Sequence, residues 1–255
     1  MNFFYYPFLI NTGSLNMSID KNLLEDSKKR NSVNLRFYLW SSPTISFGKN
    51  QRAEEIVEFE ECKKHNIDLV KRPTGGRALL HHKELTYCFT GPLDGKVFPK
   101  NFQENYKLIS KGLLKALEFF KIPAEIKKQN THYRTSPLNS LPCFVEAAPG
   151  EIVVDNKKIV GSAMLIEEDF FLIHGSIIFN FDEKLQKKCF KNSEKLLFSK
   201  LEDFLNPMPV WYLFLKYFKR GFEETFGKKF TKKNFSKKFI KKAIFESSNY
   251  KILKD

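Results

Sequence analysis

The stretch from residue 151 to residue 179 constrains this chain most. It holds three runs of β-branched and apolar residues, 151–154, 159–166 and 170–179, separated only by an Asp155-Asn156 turn and a three-residue acidic turn at 167–169. Runs of that length joined by such short polar turns form adjacent antiparallel strands, so a three-stranded meander is expected. A meander of this kind is stable only when one face is covered. The rest of the chain must therefore supply helices.

Those helices are legible. Leu15, Met17, Ile19, Leu23 and Leu24 recur at helical spacing across 15–26, and Leu108, Ile109, Leu113, Leu114 and Leu117 make one face of a helix over 105–120, with Pro123 just beyond it. A further helix is expected over 54–65. Strands are expected at 36–40 and 44–47 around Ser41-Ser42-Pro43, and at 67–71 and 85–90. The apolar run 3–10 contains Pro7 and lacks a basic leader, so it reads as a buried strand rather than a targeting segment. Residues 129–140 have the composition of a loop. Beyond residue 182 the pattern turns helical and Lys-rich. The expected class is α+β: a mixed, largely antiparallel sheet flanked by helices, with a small helical C-terminal segment. The expected division is 1–183 and 184–255, the latter packed on the former.

Composition narrows the function. From residue 184 onward there are 19 Lys and Arg against 7 Asp and Glu, so most of the net charge of +14 sits in the C-terminal third. A surface of that kind attracts acidic proteins, nucleic acid or anionic lipid alike. The four cysteines form no CxxC pair, which argues against a zinc ribbon or a disulfide framework and for a reducing, cytoplasmic setting. No metal site is expected. No stretch reaches the roughly 18 apolar residues of a membrane helix, so no membrane partner is expected either. The 27 phenylalanines imply a core or a ligand pocket rich in rings.

Two segments can carry chemistry. Arg72-Pro73-Thr74-Gly75-Gly76-Arg77 lies between expected strands and leads to His81. Paired glycines bring backbone N–H groups close to a ligand, and flanking arginines can hold an anionic handle. Cys143 stands at the junction between the polar loop and the meander, and Lys158 follows the Asp155-Asn156 turn. An ammonium beside a thiol favours the thiolate. Gly161, Ser162 and Ala163 are small residues in mid-strand, where a neighbouring chain or a ligand can approach closely.

In this order the pieces resemble the biotin- and lipoate-protein ligase catalytic fold, which is class II synthetase-like. The resemblance rests on Asn16-Met17 with Asp20, Ile45-Ser46-Phe47-Gly48 with Gln51, Pro73-Thr74-Gly75-Gly76-Arg77, Glu84-Leu85-Thr86-Tyr87, Lys158-Ile159-Val160-Gly161-Ser162-Ala163 and His174-Gly175-Ser176-Ile177. Within that family, Pro142-Cys143-Phe144 ahead of the lysine strand is similar to the cysteine-dependent octanoyltransferases. The chain departs from that pattern at Met164, where Gln is common, and at His82, where an acidic residue is common.

The resemblance implies a catalytic domain over 1–183 and a two-step reaction. An octanoyl group would pass from acyl carrier protein to Cys143, with Lys158 holding the thiolate, and then to a lysine of glycine-cleavage H protein or an E2 lipoyl domain. It implies no cofactor, and substrate contacts from Arg72, Gly75, Gly76, Arg77, His81, Gly161, Ser162 and Ala163. Three other readings stay open: an ATP-dependent lipoate ligase working through lipoyl-adenylate, an amidotransferase between carrier domains, and a basic nucleic-acid binder without catalysis.

Overall fold

A computed structural model describes residues 1–128, 147–192 and 198–252. Cys143 and the polar run 129–140 lie outside the described residues. In chain order the elements are β1 (Phe3–Tyr5), β2 (Leu9–Asn11), α1 (Gly13–Arg30), β3 (Val33–Trp40), β4 (Thr44–Phe47), α2 (Phe59–Lys64), β5 (Asp68–Lys71), β6 (Leu79–His81) and β7 (Glu84–Pro92). There follow α3 (Phe102–Phe119), β8 (Glu125–Ile126), β9 (Ile152–Val154), β10 (Lys157–Glu167), β11 (Phe170–Ile178), α4 (Glu183–Cys189), α5 (Trp211–Phe226), β12 (Thr231–Lys232) and α6 (Lys237–Glu246).

The expected meander is β9-β10-β11, and it forms one side of a mixed sheet ordered β12-β1-β3-β7-β11-β10-β9-β8, with β2 also paired to β3. Pairings from β3 through β8 are antiparallel, while β1, β2 and β12 join by parallel contacts. A smaller sheet, β5-β4-β6, stands apart. This is the α+β arrangement expected. None of the described helices is long and apolar enough to cross a membrane.

Two expected elements differ. The run 3–10 is not one strand but two, β1 and β2, separated by a stretch that includes Pro7, which has no N–H to donate to a ladder. The helix expected over 54–65 is a short turn at Ala53–Glu55 followed by α2, because between them Val57 is taken into an antiparallel bridge with Phe190.

Strand alternation gives the main sheet two unlike faces. Leu35, Phe37, Tyr87, Phe89 and Ile173 point to one side and pack under Ile109, Leu113 and Leu117 of α3 and Phe214, Phe218 and Phe222 of α5. Phe89 alone has the rings of Phe98, Phe171, Phe222, Phe226 and Phe230 within 6.2 Å, centroid to centroid. The two helices meet closely at glycines: a Cβ on Gly221 would stand 2.3 Å from the carbonyl oxygen of Gly112.

Across the other face run two rows set by register. One is Arg36, Cys88, His174 and Ala163; the next is Tyr38, Thr86, Ser176 and Gly161. Helix α1 covers part of this face with buried polar side chains, among them Asn16 and Asp20. The small sheet covers another part, sending Ile45, Phe47 and Leu80 into its own apolar cluster with Cys189 and Phe190. Its alternate residues, Ser46, Leu79 and His81, are left to face the main sheet.

Candidate active site

Between the two sheets lies a cavity of about 190 Å³. Its wall on the main sheet is the pair of rows, through Tyr38, Thr86, His174, Ser176, Gly161 and Ala163. Ser46, Leu79 and His81 face it from the small sheet, and Arg72, Gly76 and Arg77 from the loop between β5 and β6. Lys158, Glu151 and Ala148 complete another side. Of the residues expected from sequence to form the site, Arg72, Gly76, Arg77, His81, Lys158, Gly161, Ser162 and Ala163 thus line one cavity. Gly75 does not line it, but its carbonyl oxygen accepts hydrogen bonds from Arg72 Nε (3.2 Å) and Nη2 (2.8 Å). Cys143 is outside the described residues.

The glycine loop is held by close backbone approach. Gly48, after β4, packs so tightly on it that a Cβ there would stand 2.1 Å from the carbonyl oxygen of Gly76, and Gly76 itself has φ of +94°. Lys49 N–H donates to the carbonyl of Thr74 at 2.9 Å. Gly48 N–H is fixed by Gln51 Oε1 at 3.0 Å.

Arg72 organises the polar wiring. Its guanidinium reaches the hydroxyls of two residues, Thr74 (Nε, 3.1 Å) and Ser46 (Nη1, 3.2 Å), and the carbonyl oxygens of Ser46 and Arg77 (2.9 and 2.8 Å). Each hydroxyl leads to an imidazole backed by a carboxylate. Thr74 Oγ1 lies 2.7 Å from His174 Nε2, and His174 Nδ1 lies 2.8 Å from Asp20 Oδ2. Ser46 Oγ lies 2.8 Å from His81 Nε2, and His81 Nδ1 lies 3.0 Å from Glu84 Oε1. A carboxylate only accepts, so in each neutral imidazole Nδ1 carries the proton and Nε2 accepts from the hydroxyl.

The two carboxylates differ in their company. Burial alone would raise the Asp20 carboxyl, but the Arg36 guanidinium at 2.6 Å and the His174 hydrogen bond outweigh it and hold Asp20 below the ordinary range. Tyr38 Oη also donates to it, at 2.9 Å. Burial keeps His174 neutral by pushing its pKa down, against the pull of Asp20. Glu84 has no such cation among the described residues: its Oε1 takes hydrogen bonds from His81, Thr86 and the Trp40 indole N–H (2.7 Å), and its buried Oε2 has no partner there either. The Trp40 ring stacks on His81 at 4.0 Å.

Lys158 is buried in the cavity wall, its Nζ paired with Glu151 Oε2 at 2.8 Å. Glu151 Oε2 is fixed in turn by the N–H of Ala148, at 2.7 Å. Arg77 has no carboxylate partner among the described residues, so its guanidinium can receive an anionic group of a ligand. Ser162 turns its hydroxyl to Tyr87 Oη, at 2.7 Å. Cys62, Cys88 and Cys189 are buried and none of them lines the cavity; burial pushes the Cys88 thiol well up.

Sequence reasoning assigned no role to Asp20, Ser46, Glu84 or His174, although all four stand in the motif runs, nor to Trp40, Thr86 or Glu151. Their partners lie up to 154 residues away in the chain, and only the motif runs signalled Asp20, Ser46, Glu84 and His174. Of the expected ring-rich core or ligand pocket, it is the core that holds the phenylalanines. Among the described residues none lines this cavity, whose rings are Tyr38, Trp40 and the two imidazoles. The phenylalanines fill the helix-covered face.

Residues 12–210 match the model of the lipoyl protein ligase A/B catalytic domain. The chain is 40% identical over 172 residues to octanoyltransferase LipM of Carboxydothermus hydrogenoformans, covering 67% of this chain and 62% of that protein. It is 40% identical over 178 residues to that of Clostridioides difficile, covering 69% and 65%. The match thus spans just under two thirds of the length of those relatives. With octanoyltransferase LipM of Staphylococcus epidermidis it is 34% identical over 239 residues, 86% of this chain and 85% of that protein. Among solved structures, lipoate-protein ligase A bound with ATP superposes with a TM-score of 0.81 at 19% identity, over 97% of this chain and 95% of that one. The bipartite lipoate protein ligase of Thermoplasma acidophilum gives 0.76 at 18% identity, over 97% and 92%. At those identities the likeness is one of fold.

Proposed function

Because the chain belongs to the lipoyl protein ligase A/B catalytic-domain family, we propose that it is an octanoyltransferase of lipoate biosynthesis that works through a cysteine thioester. Octanoyl-acyl carrier protein is the donor in this reading, and a lysine of glycine-cleavage H protein or an E2 lipoyl domain is the acceptor. The observation that carries it is the buried Lys158 ammonium in the wall of a cavity that also holds the glycine loop. The name shared by the curated relatives points the same way.

Cys143 is the nucleophile in this mechanism. Ala148, five residues after it, lines the cavity, and the other three cysteines do not. The Cys143 thiolate attacks the donor carbonyl, the carrier thiolate leaves, and an enzyme thioester results. Exchange between two thioesters is close to balanced, so the step needs no ATP. Lys158 stabilises the cysteine thiolate and the oxyanion that develops at the carbonyl. Glu151, 2.8 Å from Nζ, holds that lysine against the wall. Gly161 and Ala163 leave room for the chain. Burying the six methylenes of an octanoyl chain at about 0.8 kcal/mol each supplies roughly 5 kcal/mol of binding.

The ATP-dependent lipoate ligase is the reading this one must displace. Replacing Cys143 by Ala separates them: octanoyl transfer is expected to be lost, whereas ligation of lipoate by the variant with ATP and magnesium would overturn the cysteine mechanism.

A further inference from the structure

Resting on that reading, we infer that Ser46, His81 and Glu84 form the proton-accepting relay for the acceptor lysine. An ε-amine is mostly ammonium at neutral pH and attacks no carbonyl until it loses a proton. Lys158 is a cation paired with Glu151 and is a poor acceptor for it.

Two imidazoles line the cavity, and their surroundings differ in the property that matters. The His174 relay ends on Asp20, whose charge Arg36 already balances, and begins at Thr74, which is not part of the cavity wall. A proton placed on His174 meets a carboxylate already shared with a cation. The His81 relay begins at Ser46, which does line the cavity, and ends on Glu84, with which no Lys or Arg pairs among the described residues. Protonating His81 Nε2 turns a buried lone carboxylate into one half of an imidazolium–carboxylate pair. Arg72 Nη1 donates to Ser46 Oγ at 3.2 Å, so the hydroxyl proton is aimed at His81. Glu84 acts through His81 and is a positioning residue; Trp40 keeps the ring in place by stacking at 4.0 Å and by its N–H to Glu84.

The step balances. The acceptor nitrogen arrives as an ammonium and ends as an amide N–H, so it sheds two protons. The first goes to Ser46 Oγ while the Ser46 hydroxyl proton passes to His81 Nε2. The freed amine attacks the thioester carbonyl, a C–N bond forms and the C–S bond breaks. The second proton leaves with the departing sulfur, which becomes the thiol, and the imidazolium returns its proton to solvent.

The test compares two nucleophiles acting on the same enzyme with octanoyl-acyl carrier protein as donor. One is a lipoyl-domain lysine; the other is hydroxylamine, which is already neutral at pH 7 and needs no base. After subtraction of the enzyme-free rate, the ratio of lysine to hydroxylamine turnover is expected to fall about 100-fold in His81→Gln and in Ser46→Ala. The ratio is internal to each enzyme, so a smaller folded fraction cancels, and Ser46→Ala removes one hydroxyl while leaving the imidazole–carboxylate pair. A ratio unchanged from the parent in both variants overturns the relay. A parent enzyme that forms no octanoyl hydroxamate overturns the acyl-transfer reading beneath it, a result distinct from the first.

Discussion

The two faces of the main sheet are built from the same strands and obey opposite rules. Under α3 and α5 the residues are mainly aromatic and aliphatic, each touching several others. On the opposite face Arg36, Asp20, His174, Arg72, His81 and Glu84 are buried in one chain of hydrogen bonds. The first face resists change because packing is lost. The second resists it because any broken link leaves a buried polar group unpaired. A change on the aromatic face should therefore cost stability alone, whereas one on the wired face should cost turnover as well.

The largest effect expected is on stability. Phe222→Ala empties the centre of the aromatic cluster and should cost about 3–5 kcal/mol, read by denaturant unfolding, while turnover per folded molecule stays near the parent value. Lys158→Met should show the reverse, with turnover lower by about 100- to 1000-fold and the variant still folded by circular dichroism. If Phe222→Ala reduced turnover as much as Lys158→Met did, the two faces would not be separable as described. Gly221→Ala drives a methyl toward the Gly112 carbonyl and should lower stability by roughly 1–3 kcal/mol, with the midpoint of thermal unfolding as the readout.

Acid should act on the wired face through His174 and Asp20. His174 and Asp20 both have folded pKa values below their ordinary ones of 6.5 and 3.8. Their contributions are complete above those values and are lost as pH falls, because the unfolded chain then binds more protons. Stability of the parent is expected to decline from about pH 6.5 downward and further below about pH 4. In Asp20→Asn it should start lower at neutral pH and decline less below pH 4, and parallel curves for the two proteins would contradict the wiring. The smallest effect concerns the C-terminal lysines, whose positive charge would steer an acidic carrier protein toward the site under the proposed function. Raising ionic strength from low to moderate should slow turnover of the carrier protein about three- to tenfold, and insensitivity to salt would remove the steering idea.

Much of the fold was legible because apolar periodicity reports directly on burial. The meander β9-β10-β11 and the amphipathic α3 follow from it. Helix α1 was legible only in part: its apolar residues marked 15–26, but it runs from Gly13 to Arg30, and its buried residues also include Asn16, Asp20, Asn22 and Ser27. Polar residues that are buried because they are hydrogen-bonded look exposed to any hydropathy pattern. The two-residue strands β8 and β12 carry too few residues to show alternation.

The site follows the same division. Glycines and flanking arginines announced a loop by their own chemistry. Asp20 and Glu84 announced nothing, because a carboxylate's role is set by what faces it: Arg36 lies 16 residues from Asp20, and Trp40 lies 44 residues from Glu84.

Whether an acyl group is carried on Cys143 can be read from the intact mass of the protein. After mixing with octanoyl-acyl carrier protein and no acceptor, the protein should gain the mass of one octanoyl group, lose it on treatment with hydroxylamine, and gain nothing when Cys143 is replaced by Ala. An unmodified parent, or an adduct that persists in Cys143→Ala, would contradict the cysteine mechanism.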